Sequence, residues 1–170
     1  MGAEADQRDQ RFEQMVERHQ EAVKRMCFLC LCDRTLAEDA TQETFLKAYR
    51  KLDGFRGESS EKTWIMKIAM HTCSSMNRSG WRRFINRRVT PDMLPEKGCA
   101  TFDERDEDLT LAVMRLPKKM REAILLKYYQ GLQVKEIAEA LGISHASVSG
   151  RLKRGREKLK DLMEGREIDE

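Results

Sequence analysis

Apolar residues recur at three- and four-residue steps along most of the chain. The first stripe is Phe12, Met15, Val16, His19, Val23, Met26, Cys27, Cys30 and Leu31, one face of an amphipathic helix. A second helix is predicted from about Leu36 to Asp53, with Ala37, Thr41, Thr44, Phe45, Ala48 and Leu52 inward. Thr35 followed by Glu38 reads as a capping box at its start, and Gly54 as its stop. A third helix follows Ser59-Ser60 and carries Trp64, Ile65, Ile68, Ala69, Thr72, Cys73 and Met76. The pattern resumes near Leu109. Pro117 opens a helix with core positions Met120, Ile124 and Tyr128, and Gly131 stops it. Ile137, Ala138 and Leu141 mark a short helix ending at Gly142. A last helix, about His145 to Met163, turns Val148, Leu152, Leu159 and Leu162 inward. No segment alternates with period two for long, and no internal repeat is present. The pattern predicts an all-α fold of two small helical domains.

Composition agrees. Among 170 residues there are 3 Pro and 10 Gly, far too little turn punctuation for a sandwich or barrel. The longest apolar run, Cys27 to Cys32, is far short of the roughly 20 residues that span a bilayer. The N-terminus lacks the charged-then-apolar pattern of a signal peptide, so a cytoplasmic protein is expected. The net charge is only +3, but the charges are segregated. Arg78, Arg82, Arg83, Arg87 and Arg88 form a basic stretch, Asp92 to Asp108 is predominantly acidic, and His145 to Lys160 is basic again. The acidic stretch holds Pro95 and Gly98, with Pro91 just before it. Residues 89–108 therefore read as a linker between domains 8–88 and 109–165.

Ala138, then Gly142 four residues on, then Val148 six further, resembles a helix-turn-helix. A small residue at 138 permits a close helix crossing, and Gly142 permits a left-handed turn. Ser144 suits the cap of the next helix. With Val148 inward, that helix presents Ala146, Ser147, Gly150, Lys153 and Arg154 outward, flanked by Ser149 and Arg151. Basic groups suit phosphates and base edges, and small residues allow approach to the major groove. His145 suits either a phosphate or solvent.

The outward face of the second helix is Asp39, Gln42, Glu43, Leu46 and Arg50. A Leu within such a polar stripe is either an ordinary exposed residue or the centre of a docking surface. Here the residues carry a resemblance. Ala37 through Tyr49 (AEDATQETFLKAY) resembles the core-polymerase-binding segment of sigma factors. Phe55 through Trp64 (FRGESSEKTW) resembles the loop and helix start that capture the melted promoter strand, and Ile68-Ala69-Met70 with Arg78 continues that helix. Leu116-Pro117 through Leu159 resembles the domain that reads the upstream promoter element. Their order and the short linker resemble the extracytoplasmic-function (ECF) group of the sigma-70 family.

The resemblance implies a sigma region 2-like bundle and a region 4-like helix-turn-helix domain joined by a flexible linker. It implies that Asp39, Gln42, Glu43, Leu46 and Arg50 dock on core RNA polymerase. Phe55, Arg56, Ser60, Trp64, Lys67, His71 and Arg78 would then engage the −10 element and its melted non-template strand. Ser147, Ser149, Gly150, Arg151, Lys153 and Arg154 would read the −35 element. The partners implied are core polymerase, promoter DNA and an anti-sigma factor, with no cofactor, metal, small-molecule substrate or catalysis by the chain itself. The family usually has Asn at the position of His71 and often Asp at that of Ser75, which implies altered promoter specificity. From the helix-turn-helix alone, the alternative is a free-standing DNA-binding regulator with an N-terminal sensor domain. Cys27, Cys30 and Cys32, with His19 on the same stripe, suit core packing, with a metal or redox role as the alternative. Trp81, amid arginines, suits stacking on nucleic acid or on an arginine.

Overall fold

The computed structural model describes residues 2–78 and 107–165. Among these, the chain forms seven α-helices and no strand. Helices α1 (Gly2–Leu31), α2 (Arg34–Lys51) and α3 (Glu61–Arg78) make one bundle. Helices α4 (Glu107–Arg115), α5 (Lys118–Ile124), α6 (Val134–Leu141) and α7 (His145–Met163) make a second. α6 packs on α3, so the two bundles share one apolar core. The arginine-rich stretch beyond Arg78, Trp81 and almost all of the 89–108 linker lie outside the described residues. The first helix starts at Gly2 and α4 at Glu107, each earlier than the pattern predicts.

The predicted stripes form the interior. Met15, Val23, Met26, Cys27, Cys30 and Leu31 of α1 are buried against Ala37, Ala40, Phe45 and Ala48 of α2 and Ile65, Ile68, Ala69 and Cys73 of α3. Burial of each large side chain contributes about 1.5–3 kcal/mol. The alanines on α2 bring its backbone close to α1. Thr44, fully buried, donates its hydroxyl to the Ala40 carbonyl at 2.7 Å, which satisfies it within the helix. Thr41 is half-buried and bonds the Ala37 carbonyl in the same way.

Two local expectations are corrected. The cap of α2 is Asp33, whose carboxylate accepts the Leu36 N–H at 2.9 Å, rather than a Thr35–Glu38 box. Tyr128 is 56% exposed rather than inward. Its helix widens into a π turn over Leu125–Tyr129. The extra residue per turn shifts the inward phase, so Tyr129 packs against the core five residues after Ile124.

Candidate protein-docking and nucleic-acid interfaces

On α2, Asp39, Gln42, Leu46 and Arg50 are exposed, and Glu43 is half-buried with Lys47 at 3.5 Å. Leu46 is 52% exposed. The opposite face is fully engaged in the core, so the helix holds this stripe in a fixed orientation towards solvent.

After α2, a 3₁₀ turn (Leu52–Gly54) and a short connection lead into α3. Phe55 stacks on Trp64, with centroids 4.8 Å apart and planes 30° apart. Both are half-buried, while Arg56 and Ser60 are exposed. The Ser60 hydroxyl accepts the Thr63 N–H at 3.0 Å and so satisfies a free donor of the first turn of α3. Along α3, Lys67 is half-buried and His71 exposed. Arg78 is the last residue of that helix, and its side chain lies outside the described residues.

The connection is braced from α1 by residues absent from the predicted site. Arg8 pairs with Asp53 at 3.2 Å, donates to the Tyr49 carbonyl at 2.8 Å and lies over the Tyr49 ring. Arg18 grips Glu61 with two nitrogens at 2.9–3.1 Å, and His19 Nε2 meets the same carboxylate at 2.9 Å. Arg11, between them in sequence, lies 5.7 Å from the Phe55 ring centroid. The spacing of Arg8, Arg11 and Arg18 along the flank of the apolar stripe was the available signal.

In the second bundle, Gly142 ends α6 in the left-handed conformation (φ 65°), which glycine adopts without penalty. Ser144 caps α7 by accepting the Ser147 N–H at 3.1 Å. Val148 and Leu152 are buried beneath α7. Its far face presents Ser147, Ser149, Lys153 and Arg154, exposed, with Gly150 and Arg151 half-buried. Arg156 donates to the Tyr128 hydroxyl at 3.3 Å on the flank. Sequence reasoning missed Gly155, where a Cβ would fall 2.9 Å from Ile124 Cγ1. That is where α7 approaches α5 most tightly among its described glycines.

Cys27, Cys30 and Cys73 are buried between α1 and α3. Hydrogen bonding to Cys27 and Cys30, with burial adding to it, holds the Cys73 thiol well above the usual range. It keeps its proton and stays a poor nucleophile. Cys30 Sγ lies 3.9 Å from Met70 Sδ. Among the described residues, no three His, Cys, Asp or Glu side chains converge to hold a metal ion. None of the helices there is long and apolar enough to cross a membrane.

Polar contacts join the bundles. Lys62 donates to the Gln130 carbonyl, Thr63 donates to Glu136 at 3.0 Å, and Gln130 donates to the Ala22 carbonyl at 3.3 Å. Arg121 donates to the Cys30 carbonyl at 3.0 Å and to Met114 and Leu116 at 2.7 and 3.3 Å. Lys62 and Thr63 immediately precede Trp64 in sequence, so α6 covers part of the start of α3.

Residues 15–83 match the family described as Sigma-70 region 2, and residues 106–159 match Sigma-70, region 4. The chain is 33% identical over 137 residues to the RNA polymerase sigma factor SigZ of Bacillus subtilis, covering 78% of this chain and 76% of that protein. It is 28% identical to the ECF RNA polymerase sigma factor SigW of Bacillus subtilis, covering 88% and 87% of the two chains. Among solved structures, the sigma factor RpoE of Bartonella quintana, in complex with the anti-sigma factor NepR, superposes with a TM-score of 0.76. The two are 25% identical, and the match covers 90% of this chain and 96% of that one.

Proposed function

This chain belongs to the ECF group of the sigma-70 family, and we propose that it directs promoter-specific initiation by binding core RNA polymerase and reading −10 and −35 elements. The match over residues 15–83 gives the first bundle its own identity, and the free-standing regulator with a sensor domain is set aside. In this reading the chain divides into a core-binding and −10 domain (8–88), a linker (89–108) and a −35 domain (109–165). It works in the cytoplasm as a specificity subunit, with no chemistry or cofactor of its own.

The observation that carries the reading is that one short segment places an exposed apolar residue and a stacked aromatic pair in succession. Leu46 stands exposed amid polar residues on α2, and the Phe55–Trp64 stack follows within twenty residues. Asp39, Gln42, Glu43, Leu46 and Arg50 dock on polymerase. Phe55, Arg56, Ser60, Trp64, Lys67, His71 and Arg78 hold the −10 strand. Aromatic faces suit unstacked bases, and Lys67, His71 and Arg78 recur on one face of α3 to follow the backbone. Strand capture offsets the few kcal/mol needed to unstack a base. Ser147, Ser149, Gly150, Arg151, Lys153 and Arg154 read the −35 duplex from the major groove. An anti-sigma factor holds the protein inactive, a partner class that the solved complex of the Bartonella relative supports.

The test is transcription in vitro from genomic fragments, with core polymerase, with and without this protein. New discrete transcripts sharing two upstream elements are expected. Absence of new transcripts, together with failure of the folded protein to bind core polymerase, overturns the reading.

A further inference from the structure

Resting on the strand-capture reading, we infer that Arg11 of α1 is the outermost member of a stacking site for single-stranded DNA formed with Phe55 and Trp64. Arg11 lies before the matched region 2 segment, which begins at residue 15. α1 meets the α2–α3 connection through three arginines. Arg8 is neutralised by Asp53 at one end, and Arg18 by Glu61 at the other. Both serve to hold the connection in place. Arg11, exposed between them, has no carboxylate partner among the described residues and lies over Phe55, which in turn stacks on Trp64.

The order is therefore indole, phenyl, guanidinium, from half-buried to exposed. A planar, weakly hydrated cation at the open end can stack on the next base, and its N–H groups can reach the adjoining phosphate. A positive charge without a carboxylate, set on an aromatic pair, complements a base–phosphate unit. An apolar peptide would leave the guanidinium unpaired, and a purely structural role would favour pairing it with an acid, as happens at Arg8 and Arg18.

The experiment uses the full chain assembled with core polymerase. Its probe is a fluorescent single-stranded oligonucleotide with the non-template −10 sequence of a promoter found by the transcription test. Wild type, Arg11→Ala and Arg11→Lys are titrated at several salt concentrations. Arg11→Ala is expected to weaken strand binding about tenfold and to make the log–log salt slope shallower by about 0.7. Arg11→Lys is expected to keep the salt slope but lose part of the affinity, because an ammonium cannot stack. Thermal melting and core-binding assays accompany each variant. Equal strand affinity and salt slope for wild type and Arg11→Ala overturn the proposal, whether or not the variant melts earlier. Loss of core binding alone also overturns it, placing Arg11 against polymerase. If wild type with core fails to bind the strand, the strand-capture reading itself falls, and this inference with it.

Discussion

Two glycines on α7 respond oppositely to a methyl group. A Cβ at Gly155 meets Ile124 Cγ1 at 2.9 Å and Cδ1 at 3.2 Å, in the tight α5–α7 crossing. Gly155→Ala should destabilise the protein by about 1–3 kcal/mol, seen as a lower unfolding midpoint. A Cβ at Gly150 meets only the mobile tip of Arg154, at 3.3 Å. Gly150→Ala should therefore gain about 1 kcal/mol of helix propensity; a lower midpoint for that variant would refute the packing assignment. Glu122 is a second residue with a defined energetic sign. It is 8% exposed, and burial pushes its carboxyl above the ordinary 4.5 against the opposing charges of Lys118, Arg121 and Arg151. The folded state therefore binds this proton more tightly than the unfolded chain. The associated stabilisation is present below about pH 4.5 and is lost as pH rises through the raised value. Glu122→Gln should thus resist denaturant better than wild type at pH 7, with the advantage shrinking towards pH 4. A variant weaker at pH 7 would mean that the bridge to Lys118, 3.8 Å away, outweighs burial.

At the scale of the element, α2 has one face in the core and one in solvent, and the solvent face is the one proposed for docking. Its core face is Ala37, Ala40, Thr44, Phe45 and Ala48, and Leu46 contributes nothing to that face. Leu46→Glu should leave stability within about 0.5 kcal/mol of wild type. It should weaken core polymerase binding at least about tenfold, measured by competition for core. Unchanged binding would remove Leu46 from the interface. The buried and exposed faces were legible because a helix repeats every 3.6 residues, so one sequence reports both. The helix-turn-helix was legible for a related reason: Gly142 and Ser144 meet backbone demands that few other residues satisfy. The π turn was not, because Leu125–Tyr129 carries no residue that distinguishes it from a continuing α-helix. The Asp33 cap was equally hidden, since Asp33 and Thr35 are both good cap residues and only the backbone path chooses between them. Arg11 was not legible because the apolar stripe of α1 reports its core face, while charged residues on a helix flank are ordinarily just solvated.

Across the whole molecule, the joining of the bundles was the least legible feature, because the donors and acceptors involved are up to 108 residues apart in sequence. Many acceptors there are backbone carbonyls, which carry no sequence signal. Arg121 is the centre of this join. Its guanidinium gathers the carbonyls of Cys30, Met114 and Leu116, near the last turns of α1 and α4. Such carbonyls lack helical partners, and a planar fork satisfies several of them at once. Among the described residues, Lys62 makes one hydrogen bond across the join, to the Gln130 carbonyl. Arg121→Ala should therefore lose about 1.5–3 kcal/mol, and more than Lys62→Ala does. Because Arg121 braces α4 as well as the join, stability alone does not separate its two roles. Solution scattering does. In denaturant just below the unfolding transition, both variants should show a larger radius of gyration than wild type, since each weakens the join between the bundles. Gly155→Ala, which strains only the α5–α7 crossing, should melt early without expanding beforehand. If Arg121→Ala and Lys62→Ala remain as compact as wild type, the polar contacts do not hold the bundles together. The shared apolar core, with Leu132 and Met114 on one side and Leu31 and Met70 on the other, would then do so.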